Sequence, residues 1–226
     1  MIIGNGLIAN AFKNYCSDFE DFVIFASGVS DSNEIDDAKF NRERELLINT
    51  IKQNPDKKII YFTSVLTTTD ENKYYNHKKE MAEIIINSKN EYIIYRVPQL
   101  IGKNGNQSNL INTIKNNIIN FKETIIYQDI YRSVIDICDL VDIVNYSKHK
   151  VNNKIVTISY IEKLPIAGIV HIIAGLLKRS SCCKIKKHTD KLKNWYVENS
   201  LITIEWLIIN NIKTKGYTEK VLKKYL

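Results

Sequence analysis

The chain has 226 residues, 44% of them hydrophobic and 25% charged, with a formal net charge of +7. That balance suits a globular protein with one sizeable core, and no apolar run is long enough to span a bilayer. Four cysteines without metal-ligand spacing, and an N-terminus that opens directly as a strand, give two expectations: a reduced, cytoplasmic setting and no metal site.

In chain order, the pattern predicts a strand at 1–3, a helix at 6–15, a strand at 21–25 and a helix at about 36–53. A strand at 58–63, a helix at 73–87, a strand at 92–96 and a helix at 109–121 follow. This alternation of short β-branched runs with longer amphipathic stretches implies βαβ units and a parallel sheet. Beyond it come an apolar segment at 124–127, a helix at about 137–146, a strand at 154–158, a helix at 166–178 and a helical C-terminus. The basic run Lys184-Ile185-Lys186-Lys187-His188, with Lys178-Arg179, reads as a solvated face, and no nucleic-acid partner is expected.

Two segments carry chemistry. Met1-Ile2-Ile3-Gly4-Asn5-Gly6-Leu7-Ile8-Ala9 is a strand, a Gly-x-Gly-x-x-Ala turn and a helix start. Glycines allow a tight turn and let backbone amides approach a phosphate, and Ala9 lets the helix pack on the strand. The second segment is Tyr74-Tyr75-Asn76-His77-Lys78-Lys79-Glu80-Met81-Ala82-Glu83, just after the apolar run 58–64. Residues four apart share a helix face, so an ammonium can sit beside a phenol. A nearby positive charge stabilises the phenolate and makes a tyrosine a general acid/base. Tyr75/Lys79 and Tyr74/Lys78 have the same spacing.

Several ordered segments resemble the extended short-chain dehydrogenase/reductase superfamily, in its nucleotide-sugar epimerase, dehydratase and reductase branch. They are the glycine turn, Phe22-Val23-Ile24-Phe25-Ala26-Ser27-Gly28-Val29-Ser30, Tyr75 to Glu83, Tyr95-Arg96-Val97-Pro98-Gln99-Leu100-Ile101-Gly102, and Arg132-Ser133-Val134-Ile135-Asp136-Ile137-Cys138-Asp139-Leu140-Val141. The resemblance spans about residues 1–145, and Ala82 and Glu83 match the end of the family's helix, which favours Tyr75/Lys79.

The resemblance implies hydride transfer between NAD or NADP and a nucleotide-linked sugar, for surface polysaccharide synthesis. Tyr75 would exchange the proton, Lys79 would tune it and hold the nicotinamide ribose, and Ser64 or Thr67 would fix the substrate oxygen. Gly4, Gly6, Leu7, Ile8, Ala26, Ser27, Gly28, Thr63, Val97 and Pro98 would line the cofactor. Arg132 and Asn109 would meet the substrate diphosphate. Pairing through the helix of Tyr75 would give a homodimer. A non-catalytic relative that binds a dinucleotide, a sugar nucleotide or a partner enzyme is the alternative.

The departures are specific. Only residues 10–21 separate the glycine turn from the segment that resembles the family's fourth strand. The expected fold is therefore α/β, a Rossmann-like parallel sheet lacking the family's second and third strands, with a small C-terminal α+β lobe. Residues 1–102 are expected to form the trimmed cofactor-binding core, and 103–226 the smaller lobe packed on it. No acidic residue ends a second strand, where the family reads the adenosine ribose. Val65 falls at the usual hydroxyl position, leaving Thr63, Ser64 and Thr67 as candidates. His77 is expected to face outward and His171 to be a satisfied core histidine. Trp195 and Trp206 are expected to be packing anchors, and Asp136 and Asp139 to be structural.

Overall fold

Polar caps set where the helices begin. Asp36 accepts from the Ala38 amide, Asn72 from Tyr75, Asn109 from Asn112 and Asp136 from Cys138, each just ahead of a helix. The computed structural model describes all residues except 69–71, 104, 106–108, 129 and 188–196, and the side chains at 14, 16 and 17. His188, Trp195 and the Cys16 side chain lie outside the described residues.

The chain runs β1 (Ile2–Ile3), α1 (Leu7–Phe12), a 3-10 stretch (Lys13–Phe19), β2 (Phe22–Phe25), α2 (Asp37–Gln53) and β3 (Lys58–Ser64). A 3-10 turn (Val65–Thr68) leads to α3 (Lys73–Ile86), β4 (Tyr92–Val97), β5 (Gln99–Ile101) and α4 (Leu110–Ile119). Then come β6 (Thr124–Tyr127), β7 (Tyr131–Arg132), β8 (Val134–Asp136), α5 (Ile137–Ser147) and β9 (Lys154–Thr157). The chain ends with β10 (Leu164–Pro165), α6 (Ile166–Leu177), β11 (Cys183–Lys186), α7 (Leu201–Ile209) and α8 (Tyr217–Tyr225).

Five strands form one parallel sheet in the order β1-β2-β3-β4-β9. Side chains alternate across a strand, so each strand feeds two layers. Val23, Phe25, Ile59, Tyr61 and Ile94 pack with Leu47 of α2 and with Met81 and Ile85 of α3. Ile24, Ile60, Phe62, Ile93 and Tyr95 face the other way, into a larger core shared with α4, α5, α6 and α8. Three two-stranded pairings, β5-β8, β6-β11 and β7-β10, build the rest.

The missing-strand expectation corresponds to a concrete feature. β1 pairs only with β2 among the described strands and so forms the sheet edge. The division at residue 102 does not follow the sheet, because β9, from beyond it, is the fifth strand. The larger core likewise draws side chains from both sides of that division.

Two residues depart from expectation. His77 is buried, because α2 packs across its face of α3: the Phe40 ring lies tilted against it at 4.7 Å and Glu43 is 3.0 Å from Nε2. His171 is exposed, because α6 turns Ile169, Val170, Ile173 and Ala174 inward and leaves 171 on its outer side. Trp206 is buried in the larger core, as expected of an anchor.

Candidate functional site

In an open parallel sheet, ligands bind beyond the carboxyl ends of the strands. Most of the residues singled out above lie there. Gly4 follows β1, Ala26, Ser27 and Gly28 follow β2, Ser64 ends β3, and Val97 and Pro98 close β4. At Gly4, φ is +125° and an added Cβ would lie 2.5 Å from the Ala26 carbonyl oxygen, so the turn demands glycine. Gly6 is different: it is extended and exposed, and a Cβ there meets nothing. The fold does not require that glycine. Leu7 and Asn109 come together around Gly105, whose Cβ position is 3.6 Å from Leu7 and 3.8 Å from Asn109.

The helix face of α3 that meets the sheet carries Met81 and Ile85, and Lys78 stands one turn earlier. Lys78 is 4% exposed, and its Nζ donates to Glu43 at 2.9 and 3.2 Å. Glu43, on α2, is wholly buried. It also accepts from the Val29 amide at 2.7 Å and from the Tyr61 hydroxyl at 3.1 Å. Burial alone would raise the Glu43 carboxyl, but the His77 hydrogen bond and the Lys78 charge outweigh it and bring the value down to about 2. Burial pulls the Lys78 ammonium down, against the charge of Glu43.

The tyrosines differ as well. Tyr75 is 7% exposed, and its ring meets that of Tyr74 edge-on at 5.1 Å. Burial, then the neighbouring Tyr75 and Glu43, raises the Tyr74 phenol well above its usual value, so it resists ionisation. Lys79 is half-buried and makes no hydrogen bond or ion pair among the described residues.

Among the three candidate hydroxyls, two are engaged locally. Ser64 Oγ accepts from the Leu66 amide at 3.1 Å, and Thr67 Oγ1 donates to the Ser64 carbonyl at 2.7 Å. Thr63 Oγ1 is buried and has no hydrogen-bond partner among the described residues. It lies on the same strand face as Tyr61, two residues nearer the carboxyl end of β3. Buried polar atoms are almost always satisfied, so an orphan here fits an absent ligand.

The remaining predicted residues are held structurally. Asn109 caps α4. Arg132 is half-buried, and its guanidinium donates to the Tyr131 carbonyl at 2.9 Å. Asp136 caps α5 and accepts from Lys224 at 2.9 Å and from Tyr225 at 2.7 Å, while Tyr217 donates to Asp139. Sequence reasoning missed Glu43 and this hold by α8. Glu43 sits in the run Arg42-Glu43-Arg44-Glu45, which reads as a solvated helix face.

No protein-family model and no curated protein matches the chain. Solved structures do. RMD from Pseudomonas aeruginosa, complexed with NADPH, superposes with a TM-score of 0.75 at 12% identity, over 98% of this chain and 95% of that one. The dTDP-glucose 4,6-dehydratase of Bacillus anthracis str. Ames, in complex with NAD, gives 0.67 at 14% identity, over 90% of this chain and 70% of its own. The UDP-N-acetylglucosamine 4-epimerase of Methanobrevibacter ruminantium M1, in complex with UDP-N-acetylmuramic acid, gives 0.67 at 13%, over 97% and 78%. The chain has the Rossmann-like fold of these structures.

Proposed function

We propose that the protein is an NAD(P)-dependent reductase or epimerase of the extended short-chain dehydrogenase/reductase type, acting on a nucleotide-linked sugar for surface polysaccharide synthesis. The observation that carries this reading is the convergence at the sheet's carboxyl edge. By chain order, Gly4 follows β1, the unsatisfied Thr63 hydroxyl is next to the end of β3, and Tyr75 with the lysines after it opens α3 beyond the turn that follows β3. A purely structural edge has no use for that combination. The shared fold with NAD-bound and NADPH-bound neighbours supports it.

The nicotinamide, when bound, supplies a hydride donor or acceptor. This chain's residues would do the rest. As charge develops on the sugar oxygen, Tyr75 would give or take its proton. Ser64, whose Oγ accepts from the Leu66 amide and keeps its own O–H to donate, or Thr63, whose hydroxyl has no partner among the described residues, would hydrogen-bond the same oxygen. Arg132 would meet the substrate diphosphate, its planar fork matching phosphate oxygens.

Titration of the purified protein with NAD(H) and NADP(H), by calorimetry or nicotinamide fluorescence, tests this. Gly6→Val is a suitable control, because its side chain enters open space and leaves the fold intact. Binding that the variant loses supports the reading. A UDP- and dTDP-sugar screen would then show Tyr75→Phe lowering kcat by about 10²-fold or more. Absence of binding up to millimolar cofactor would instead support the non-catalytic alternative.

A further inference from the structure

The β6–β11 ribbon lies outside the five-stranded sheet and keeps an apolar face in water. β6 alternates buried and exposed positions, so Ile125 and Tyr127 share its outer face, 48% and 40% exposed. The parallel register sets Lys184 beside Ile125 and Lys186 beside Tyr127, which puts the two lysines on that same face. Both strands start from one end of the ribbon. There the Arg179 guanidinium, just past α6, donates to the Ile119 carbonyl at 2.7 Å and lies 5.4 Å from the Phe121 ring, just past α4. Phe121 is 76% exposed and takes φ +54°, the left-handed region that strains a bulky residue and suits glycine. Folding alone gives no reason for an exposed phenylalanine at that position.

Charge is concentrated in the same place. Residues 121–128 and 178–187 hold six basic side chains and one acidic one, +5 of the net +7. All of 178–187 are exposed, and none of the six basic groups makes an ion pair among the described residues. Unpaired like charges repel one another, and an anionic surface relieves that repulsion. The apolar side chains decide which anionic surface fits. Ile125 and Phe121 gain by leaving water, and Tyr127 suits a boundary between apolar and wet layers. Lysine stems lie along apolar surface while their ammonium groups stay among polar headgroups. A nucleic acid offers phosphates but no layer that takes up an isoleucine. Lysines on the edge strand β11 also oppose the addition of a second copy by strand pairing.

We propose that the outer face of the β6–β11 ribbon, with Phe121 and the basic residues at its start, is a docking surface for an anionic lipid bilayer. Phe121, Ile125 and Tyr127 enter the acyl boundary, and the basic groups meet lipid phosphates. This docking is independent of the cofactor reading and needs no helix that crosses the bilayer.

The test sediments the full chain with vesicles of phosphatidylcholine alone, or with about one third phosphatidylserine, at near-physiological salt. Binding to the mixed vesicles is expected to be at least about tenfold tighter. Lys184→Glu with Lys186→Glu should weaken it by about tenfold or more. Lys52→Glu with Lys89→Glu changes the net charge equally at two exposed positions outside the patch, and should stay within about twofold of wild type. Phe121→Gly suits the left-handed backbone, so it should melt no lower than wild type while binding at least about threefold less. Circular dichroism checks the fold of each variant. Binding that is absent or equal on the two vesicles overturns the proposal. So do equal losses from the two double variants, or Phe121→Gly and the ribbon double variant both binding within about twofold of wild type. Salt-sensitive binding of a single-stranded oligonucleotide, by protein that leaves the mixed vesicles unbound, also overturns it and assigns the face to nucleic acid.

Discussion

At the scale of single residues, Glu43 governs both stability and its pH dependence. Its carboxyl is held at about 2 in the fold, against about 4.3 for an exposed glutamate. A lowered carboxylate contributes stability that is fully present above the unfolded value and lost as pH falls through the folded one. That contribution, about 3 kcal/mol from the shift, should vanish between roughly pH 4.3 and 2 in urea titrations run across that range. Glu43→Gln should flatten the acid limb. Glu43→Ala should cost about 3–5 kcal/mol at neutral pH, since it leaves Lys78 buried without its partner. A loss below about 1 kcal/mol would mean that the cluster rearranges freely. Little of this was legible in the sequence. Arg42, Glu43, Arg44 and Glu45 form a charged run on a helix, and only folding reveals that Glu43 turns inward while Arg44 turns out to Glu80. Lys78 follows it by 35 positions, and no local spacing couples the two. His77 was misread for the same reason: its burial depends on α2, not on its own helix.

At the scale of elements, the alternation of strands and helices was readable because it comes from local physics. β-Branched runs such as Ile59-Ile60-Tyr61-Phe62 fit a doubly covered strand, and Asn72, Asn109 and Asp136 announce helix starts. The two-residue strands β7 and β10 were not readable, since their pairing is decided by distant partners. The parallel pairing of β6 with β11 likewise joins segments almost sixty residues apart. The grip of α8 on the front of α5 was equally hidden. Tyr217 accepts from the buried Asp136 amide at 3.0 Å and donates to Asp139, so one hydroxyl satisfies two groups. Burial, before any other cause, raises the Asp139 carboxyl, and the Tyr217 hydrogen bond opposes that rise. Tyr217→Phe should therefore cost about 1–3 kcal/mol, the range for leaving a buried polar group unsatisfied. Urea unfolding should show a lower midpoint with an unchanged slope, because the surface exposed on unfolding stays the same. An unchanged midpoint would mean that water replaces the hydroxyl. Cofactor affinity, where binding is found, should move little, since α8 lies at β5 and β8 rather than at the loop after β2.

At the scale of the whole molecule, the feature with the widest consequence is the sheet edge. A dinucleotide normally lies across the point where strand order reverses, with one half of the sheet on each side. Here β1 is at the edge, and β2, β3, β4 and β9 all lie to one side of it among the described residues. The side that remains carries Gly28, Thr63, Tyr75 and Lys78. The opposite side, which elsewhere supplies an acidic residue to the adenosine ribose, has no strand among the described residues to carry one. On the proposed function, recognition should then fall on the nicotinamide half. NADH and NADPH should bind within about threefold of each other, because nothing on the sheet attracts or repels a 2′-phosphate. Reduced nicotinamide mononucleotide should bind within about tenfold of NADH, the adenylate half contributing less than about 1.4 kcal/mol. Competition against NADH fluorescence measures both ratios in one series. A preference of a hundredfold for either dinucleotide would contradict this account. It would mean that a segment outside the five-stranded sheet, or a second chain, reads the adenosine ribose.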